Sequence, residues 1–157
     1  MSQEIVNELI ALVLQDIPES LLLTLFIFSL LKIKYKTKPI LSIVSLMAVT
    51  NLIVRLLPIA FGVHTIILIF AITIYTRLFT KAKLSRIFLS VLVFIAGLVA
   101  VEWVYSDPLL KWTGLTYEEC YSNPFLRAAF ALPGELFMLF LALGINLYNQ
   151  KKGRYYL

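Results

Sequence analysis

Apolar residues along this chain come in runs of about twenty or more, and short clusters of lysine and arginine separate the runs. A bilayer-spanning helix needs roughly 20 mostly apolar residues at a rise of about 1.5 Å each. Measured against that ruler, the pattern predicts five spanning helices, over residues 5–31, 39–57, 63–79, 84–104 and 124–148. The fold class expected is therefore all-α: a polytopic transmembrane helical bundle, one domain over residues 1–157.

Polar and helix-breaking residues interrupt this pattern. The first run carries Gln15, Asp16, Pro18 and Glu19, so it is either one long helix kinked at Pro18 or an interfacial helix followed by a spanning one. Glu4, Glu8 and Gln15 share one helical stripe, an amphipathic start, and the single kinked helix is the preferred reading. The stretch from Pro39 to Thr80 is too long for one helix and turns back at Pro58 to Gly62. Residues 105–123 are the sizeable polar segment, expected to be extracellular. Trp112, Tyr117 and Tyr121 within it, and Trp103 and Tyr105 just before or at its start, suit a headgroup interface. Thr116-Tyr117-Glu118-Glu119 has capping-box spacing and predicts one short helix there.

Composition supports lipid as the main solvent. The chain is 61% hydrophobic and 15% charged, with mean hydropathy +0.90, too few polar residues to cover a soluble domain of this length. Its net charge of +5 would suit an acidic partner, but the cations sit between apolar runs and not on a basic stripe. The bilayer is the expected partner, and nucleic acid is not. With the loop after the first helix in the cytoplasm, 11 of the 14 cations fall on one side, in the clusters 32–38, 77–86 and 151–154. Arg55, Lys111 and Arg127 remain for the other. The positive-inside rule then places the N-terminus outside and the C-terminus in the cytoplasm of a multi-pass cell-membrane protein. One cysteine, Cys120, and one histidine, His64, give no metal-ligand cluster and no internal disulfide, and no cofactor is expected. The N-terminus lacks the basic region of a signal peptide, so the first helix is expected to persist.

Charges within apolar helices cost about 2.5–3.5 kcal/mol each on insertion scales and are functional candidates by default. Glu19 lies 13 residues from Lys32, His64 lies 13 from Arg77, and Glu135 lies 14 from Asn149, each roughly 20 Å above the basic boundary. Arg55 and Glu102 come out at roughly 25 Å, with Arg127 two turns outward of Glu135. Every helix thus contributes an ionisable group to one layer. Two readings compete: charges that snorkel or pair to fix helix packing, and a polar pocket open to the outside. The pocket is favoured, since Glu is too short to snorkel far and since Pro18-Glu19 and Pro133-Gly134-Glu135 each set a helix break beside an acid. The candidate ligand-binding residues are Glu19, Arg55, His64, Glu102, Arg127 and Glu135, with Arg55 a candidate countercharge for Glu19 or Glu135. His64 suits titration near neutral pH, and its place at a turn equally suits a hydrogen-bonded cap.

The segments Ile17-Pro18-Glu19-Ser20, Arg55-Leu56-Leu57-Pro58 leading to Gly62-Val63-His64-Thr65, and Leu132-Pro133-Gly134-Glu135-Leu136 resemble the membrane sensor modules that precede the kinase in Firmicute sensor histidine kinases of the Agr type. The resemblance implies a ligand-sensing membrane module, here a stand-alone protein or an isolated domain. It implies no kinase activity, since no phospho-acceptor helix or ATP-binding domain follows Lys151 in this sequence. The functional expectation is a sensor or receptor module that relays a signal to a partner signalling protein or a second copy of itself. The alternative is a small transporter or channel subunit. Catalysis is not expected, because the zinc His-Glu-x-x-His, Gly-x-Ser-x-Gly and Walker patterns are all missing from the sequence.

Overall fold

Backbone surrounded by apolar side chains and lipid must close its own hydrogen bonds, and this chain does so as α-helix with short connections. The structure, a computed structural model, describes residues 2–155 and, at Phe61, the backbone alone. In order, α1 covers Gln3–Ala11, a π-helical turn Leu12–Asp16, α2 Ile17–Leu30, α3 Thr37–Leu56, α4 Phe61–Thr80, α5 Leu84–Thr113, α6 Tyr117–Ser122 and α7 Pro124–Lys152. Among the described residues there is no strand. Five helical stretches are long and apolar enough to cross a membrane: Gln3–Leu30, Thr37–Leu56, Gly62–Thr80, Leu84–Thr113 and Pro124–Lys152. The first is continuous through α1, the π turn and α2, so the single-helix reading of that run holds.

The boundaries differ most in the polar segment. Residues 105–113, expected to lie outside any helix, extend α5 by nine residues despite Pro108. A proline removes one backbone donor, a small loss where the surface is exposed, and residues 107 and 108 are both exposed. What ends α5 is Gly114, whose φ of +70° is left-handed and whose N–H donates to the Leu110 carbonyl at 2.9 Å. The short helix expected after Thr116 is present as α6, with the Thr116 side chain and the Glu119 carboxylate each accepting from the other's backbone N–H. These bonds hold the Glu119 carboxyl below its ordinary value. At the other end α7 runs past residue 148 to Lys152, where Gly153 at φ +60° stops it.

Helix α2 lies against α3, α5 and α7, with α4 closing the gap between α3 and α5. Its sequence explains the position, because apolar residues occur all round it. Leu22, Phe26, Ile27 and Phe28 are all buried. Its Thr24 hydroxyl donates to the Ser20 carbonyl at 2.7 Å, and the one Ser29 hydroxyl proton is shared between the Leu25 carbonyl at 2.8 Å and a carbonyl of α7. Phe26 meets Phe94 of α5 edge-on with ring centroids 5.3 Å apart, and Met138 of α7 completes this cluster. Apolar side chains such as Leu41, Val49, Phe70 and Leu89 face outward, as a lipid surround requires.

The two ends of the bundle differ in chemistry. At the basic end, which carries the clusters 32–38, 77–86 and 151–154, the Asn149 amide donates to the Ser29 carbonyl at 2.8 Å and the Ser29 hydroxyl donates to the Ala142 carbonyl at 2.9 Å. These bonds tie α2 to α7. Arg77 donates to the Lys81 and Ala82 carbonyls at 2.6 Å each, closing the turn where Lys81 takes φ +56°.

Close approach of α5 and α7 depends on glycine. A Cβ at Gly134 would lie 3.1 Å from the Tyr105 hydroxyl and 3.3 Å from Glu102 Cγ, whereas one at Gly144 meets nothing within 4 Å. Gly134→Leu is expected to lower stability by about 1–3 kcal/mol through overpacking. Gly144→Leu is expected to be neutral or slightly stabilising through helix propensity. Thermal unfolding in detergent, followed by circular dichroism, checks the contrast, and equal effects at the two sites would refute the close contact.

Candidate functional site

The end of the bundle away from the basic clusters is organised by two prolines. Pro18 has no N–H to offer the ladder, and just before it the chain widens into the π turn, with the Ile17 N–H bonded to the Leu12 carbonyl. One extra residue in a turn rotates everything after it by about 100°. In a regular helix Glu8 and Gln15 share a stripe. With the extra residue it is Asp16 that comes into line with Glu8, and Gln15 turns away.

The side-chain contacts follow this shift. Arg55 of α3 donates to Glu8 at 2.9 Å and to Asp16 at 2.7 Å. The Arg55 and Asp16 side chains keep 15% and 7% of their surface exposed, so this is a bridge inside the bundle. Gln15 instead accepts from the Arg127 Nε of α7 at 3.0 Å. His64, near the start of α4, lies within electrostatic reach of Arg55, Asp16 and Glu8. The sequence reading looked for Arg55's partner in Glu19 or Glu135; the structure gives it Glu8 and Asp16 instead.

Pro133 is handled differently. Tyr105 of α5 reaches across so that its hydroxyl donates to the Phe130 carbonyl at 2.8 Å and accepts from the Gly134 N–H at 3.3 Å. Those groups lie one residue beyond the bond that Pro133 cannot make, so a side chain from α5 contacts the α7 ladder beside its proline. Glu135 follows immediately. It lies within electrostatic reach of Glu102, and Glu19 of α2 is within reach of both. Among the described residues none of these three carboxylates has a cation within ion-pair distance, and no group of three is close enough to hold a metal ion.

Above this trio a cleft of about 500 Å³, its open mouth included, lies between α5, α6 and α7. Glu102 and Tyr105 line one side, Arg127 and Phe130 the other, and Tyr117 and Tyr121 of α6 form a wall with ring centroids 5.1 Å apart and nearly parallel. Burial around its hydroxyl is the main reason the Tyr121 phenol sits above its ordinary value; Tyr117 and the Glu102 charge add to this, and Arg127 opposes it. Tyr121 is therefore within reach of both charges. Cys120 is a free, buried thiol at the cleft floor.

Of the six residues predicted to share one cavity, the cleft draws on Glu102 and Arg127. Glu19 and Glu135 belong to the carboxylate trio beneath it, and Arg55 and His64 to the bridge beside α1. Sequence reasoning missed Asp16, Glu8, Gln15 and Tyr105 as partners. For Asp16 the available signal was Pro18 two residues on. For Tyr105 nothing in the local sequence marks a partner 28 residues away at Pro133.

Removing Arg55 leaves the buried Asp16 carboxylate without a countercharge, so Arg55→Gln is expected to cost about 3–5 kcal/mol. Combining it with Asp16→Asn should cost clearly less than the sum of the two single changes. Chemical or thermal unfolding of the four proteins in the same detergent measures the coupling, and additivity within about 0.5 kcal/mol would show that the bridge contributes nothing.

Compared with protein-family models, characterised proteins and solved structures, the chain matches none.

Proposed function

We propose that this chain is a sensor module of the cell membrane, with its N-terminus outside and its C-terminus in the cytoplasm. It binds a signal in the outward-facing polar cleft and relays it to a partner protein or a second copy. The observation that carries this reading is the placement of Tyr105, which lines the cleft and also bridges the α7 backbone at Pro133. A ligand that displaces this side chain acts directly on α7 beside Pro133, where the ladder lacks one donor. From there α7 continues to the basic end, where Asn149 and Ser29 tie it to α2. A shift at the break thus has a rigid path to the face where a partner would read it.

The same geometry argues against conduction through one copy. Phe26, Phe94, Met138 and Ala142 are all nearly fully buried and fill the space between the cleft and the basic end. A transport pathway would need polar or ionisable groups along that length.

Two measurements test the reading. In a Cys120→Ser background, a cysteine replacing Trp112, which is 85% exposed, should react with an impermeant maleimide from outside intact cells, and one replacing Lys36 should not. The opposite pattern would put the cleft in the cytoplasm and overturn the proposal. Tyr105→Phe should preserve insertion yet raise backbone hydrogen exchange in α7 from Phe130 to Leu136 by about tenfold, equivalent to about 1.4 kcal/mol for one lost hydrogen bond. Unchanged exchange there would remove the proposed link between cleft and helix.

A further inference from the structure

Glu102 and Arg127 carry opposite charges, line the same cleft and are not paired with each other. Their charged atoms lie beyond the 4.0 Å that defines an ion pair. Arg127 spends only its Nε on Gln15, so both terminal amino groups are unbonded among the described residues. The Glu102 carboxylate likewise has no hydrogen bond or ion pair among them. Two opposite charges on facing helices, held apart across a partly desolvated space, attract ligands bearing the reverse arrangement.

We propose that the cleft binds a zwitterion, a molecule with an ammonium and an anionic group on one short linker. The ammonium lies at Glu102 and the anion at Arg127. This inference names the ligand class of the sensor site and in that sense rests on the reading above. A lone cation or a lone anion would neutralise one side and leave the other uncompensated. Arg127's planar amino groups suit bidentate contact with a phosphate or carboxylate. The ring wall of Tyr117 and Tyr121 lies within reach of an ammonium, which aromatic faces favour. The cleft is open at its mouth, and Leu110 and Phe130 in its lining offer apolar surface for a carbon chain. The chemistry fits equally a phosphoethanolamine headgroup arriving through the bilayer and a free amino acid arriving from water.

The test uses the full chain in an uncharged maltoside detergent. Glycerophosphoethanolamine and L-leucine are each titrated by calorimetry beside their half-ligands, ethanolamine and glycerol phosphate for the first, and isoamylamine and isocaproate for the second. One zwitterion should bind at least about tenfold more tightly than either of its halves. Glu102→Gln and Arg127→Gln should each weaken it by at least about tenfold, while Glu118→Gln, on the exposed face of α6, should leave it unchanged. Tighter glycerophosphoethanolamine binding, with phosphatidylethanolamine retained over phosphatidylglycerol in native mass spectrometry, identifies a lipid source. Tighter leucine binding identifies a free solute. Should Arg127→Gln lose its helical circular dichroism signal, Arg127→Lys replaces it, keeping the charge but losing the fork, and is expected to weaken binding several-fold. Neither zwitterion surpassing its halves, or the charge-removing variants binding like the parent, overturns the inference. A cysteine at position 112 labelled from outside would then show that only the ligand class has fallen. Labelling from the cytoplasm would instead remove the sensor orientation and leave the cleft chemistry to stand on its own titration.

Discussion

A proline in an apolar bundle takes away one backbone donor where no water replaces it, and much of the polar end of this protein follows from how two such losses are met. At Pro18 the chain answers locally, by widening into a π turn. Beside Pro133 the Tyr105 hydroxyl of another helix bonds the neighbouring Phe130 carbonyl and Gly134 N–H. The first solution rotates Asp16 toward Arg55. The second fixes the distance between α5 and α7, which the missing side chain of Gly134 then permits. Each proline lies one or two residues before a glutamate, so local backbone chemistry and placement of charge are set by the same few residues.

The charges at this end fall into two groups with different consequences. Glu8, Asp16 and Arg55 satisfy one another, and a closed bridge of that kind belongs to architecture: it fixes how α1 and the π turn dock on α3, and its desolvation cost offsets much of its attraction. Asp16 Oδ2 and Arg55 Nε are nevertheless buried without a hydrogen-bond partner, a residual cost that the packing of neighbouring helices must carry. Glu102 and Arg127 are open. They face a cleft, hold neither each other nor any other countercharge within ion-pair distance among the described residues, and flank aromatic rings, the arrangement on which the proposed binding site rests.

Between the cleft and the basic end the bundle is mainly apolar, with α2 at its centre, and its buried Thr24 and Ser90 hydroxyls are bonded to backbone carbonyls of their own helices. Close-packed cores transmit displacement poorly as gradual deformation and better as a change between discrete arrangements. The ladder of α7 lacks one donor at Pro133, and the Tyr105 hydroxyl contacts the backbone beside it. At the far end the hydrogen bonds among Ser29, Asn149 and the Ala142 carbonyl couple α7 to α2, which also packs on α3 and α5.

Helix number, the all-helical class and the existence of a charged layer were legible because they depend on composition over windows of about twenty residues, and lipid leaves the backbone few alternatives. The capping box before α6 was legible because it is a contact between residues three apart. The end of α5 was in principle legible from Gly114, but Pro108 and Asp107 masked it, since a proline breaks a helix only where the lost bond matters. Partner choice within the charged layer was not legible. Counting at 3.6 residues per turn put Gln15 beneath Glu8, and one additional residue in the π turn put Asp16 there instead, so that Arg55 found its acids on the first helix and not on the last. By itself the sequence determined which residues are charged and how far along each helix they lie, because rise per residue is nearly constant along a helix. Only the tertiary structure decided which of them meet, because azimuth around a helix depends on every local departure from regular geometry and on which neighbouring helix lies opposite.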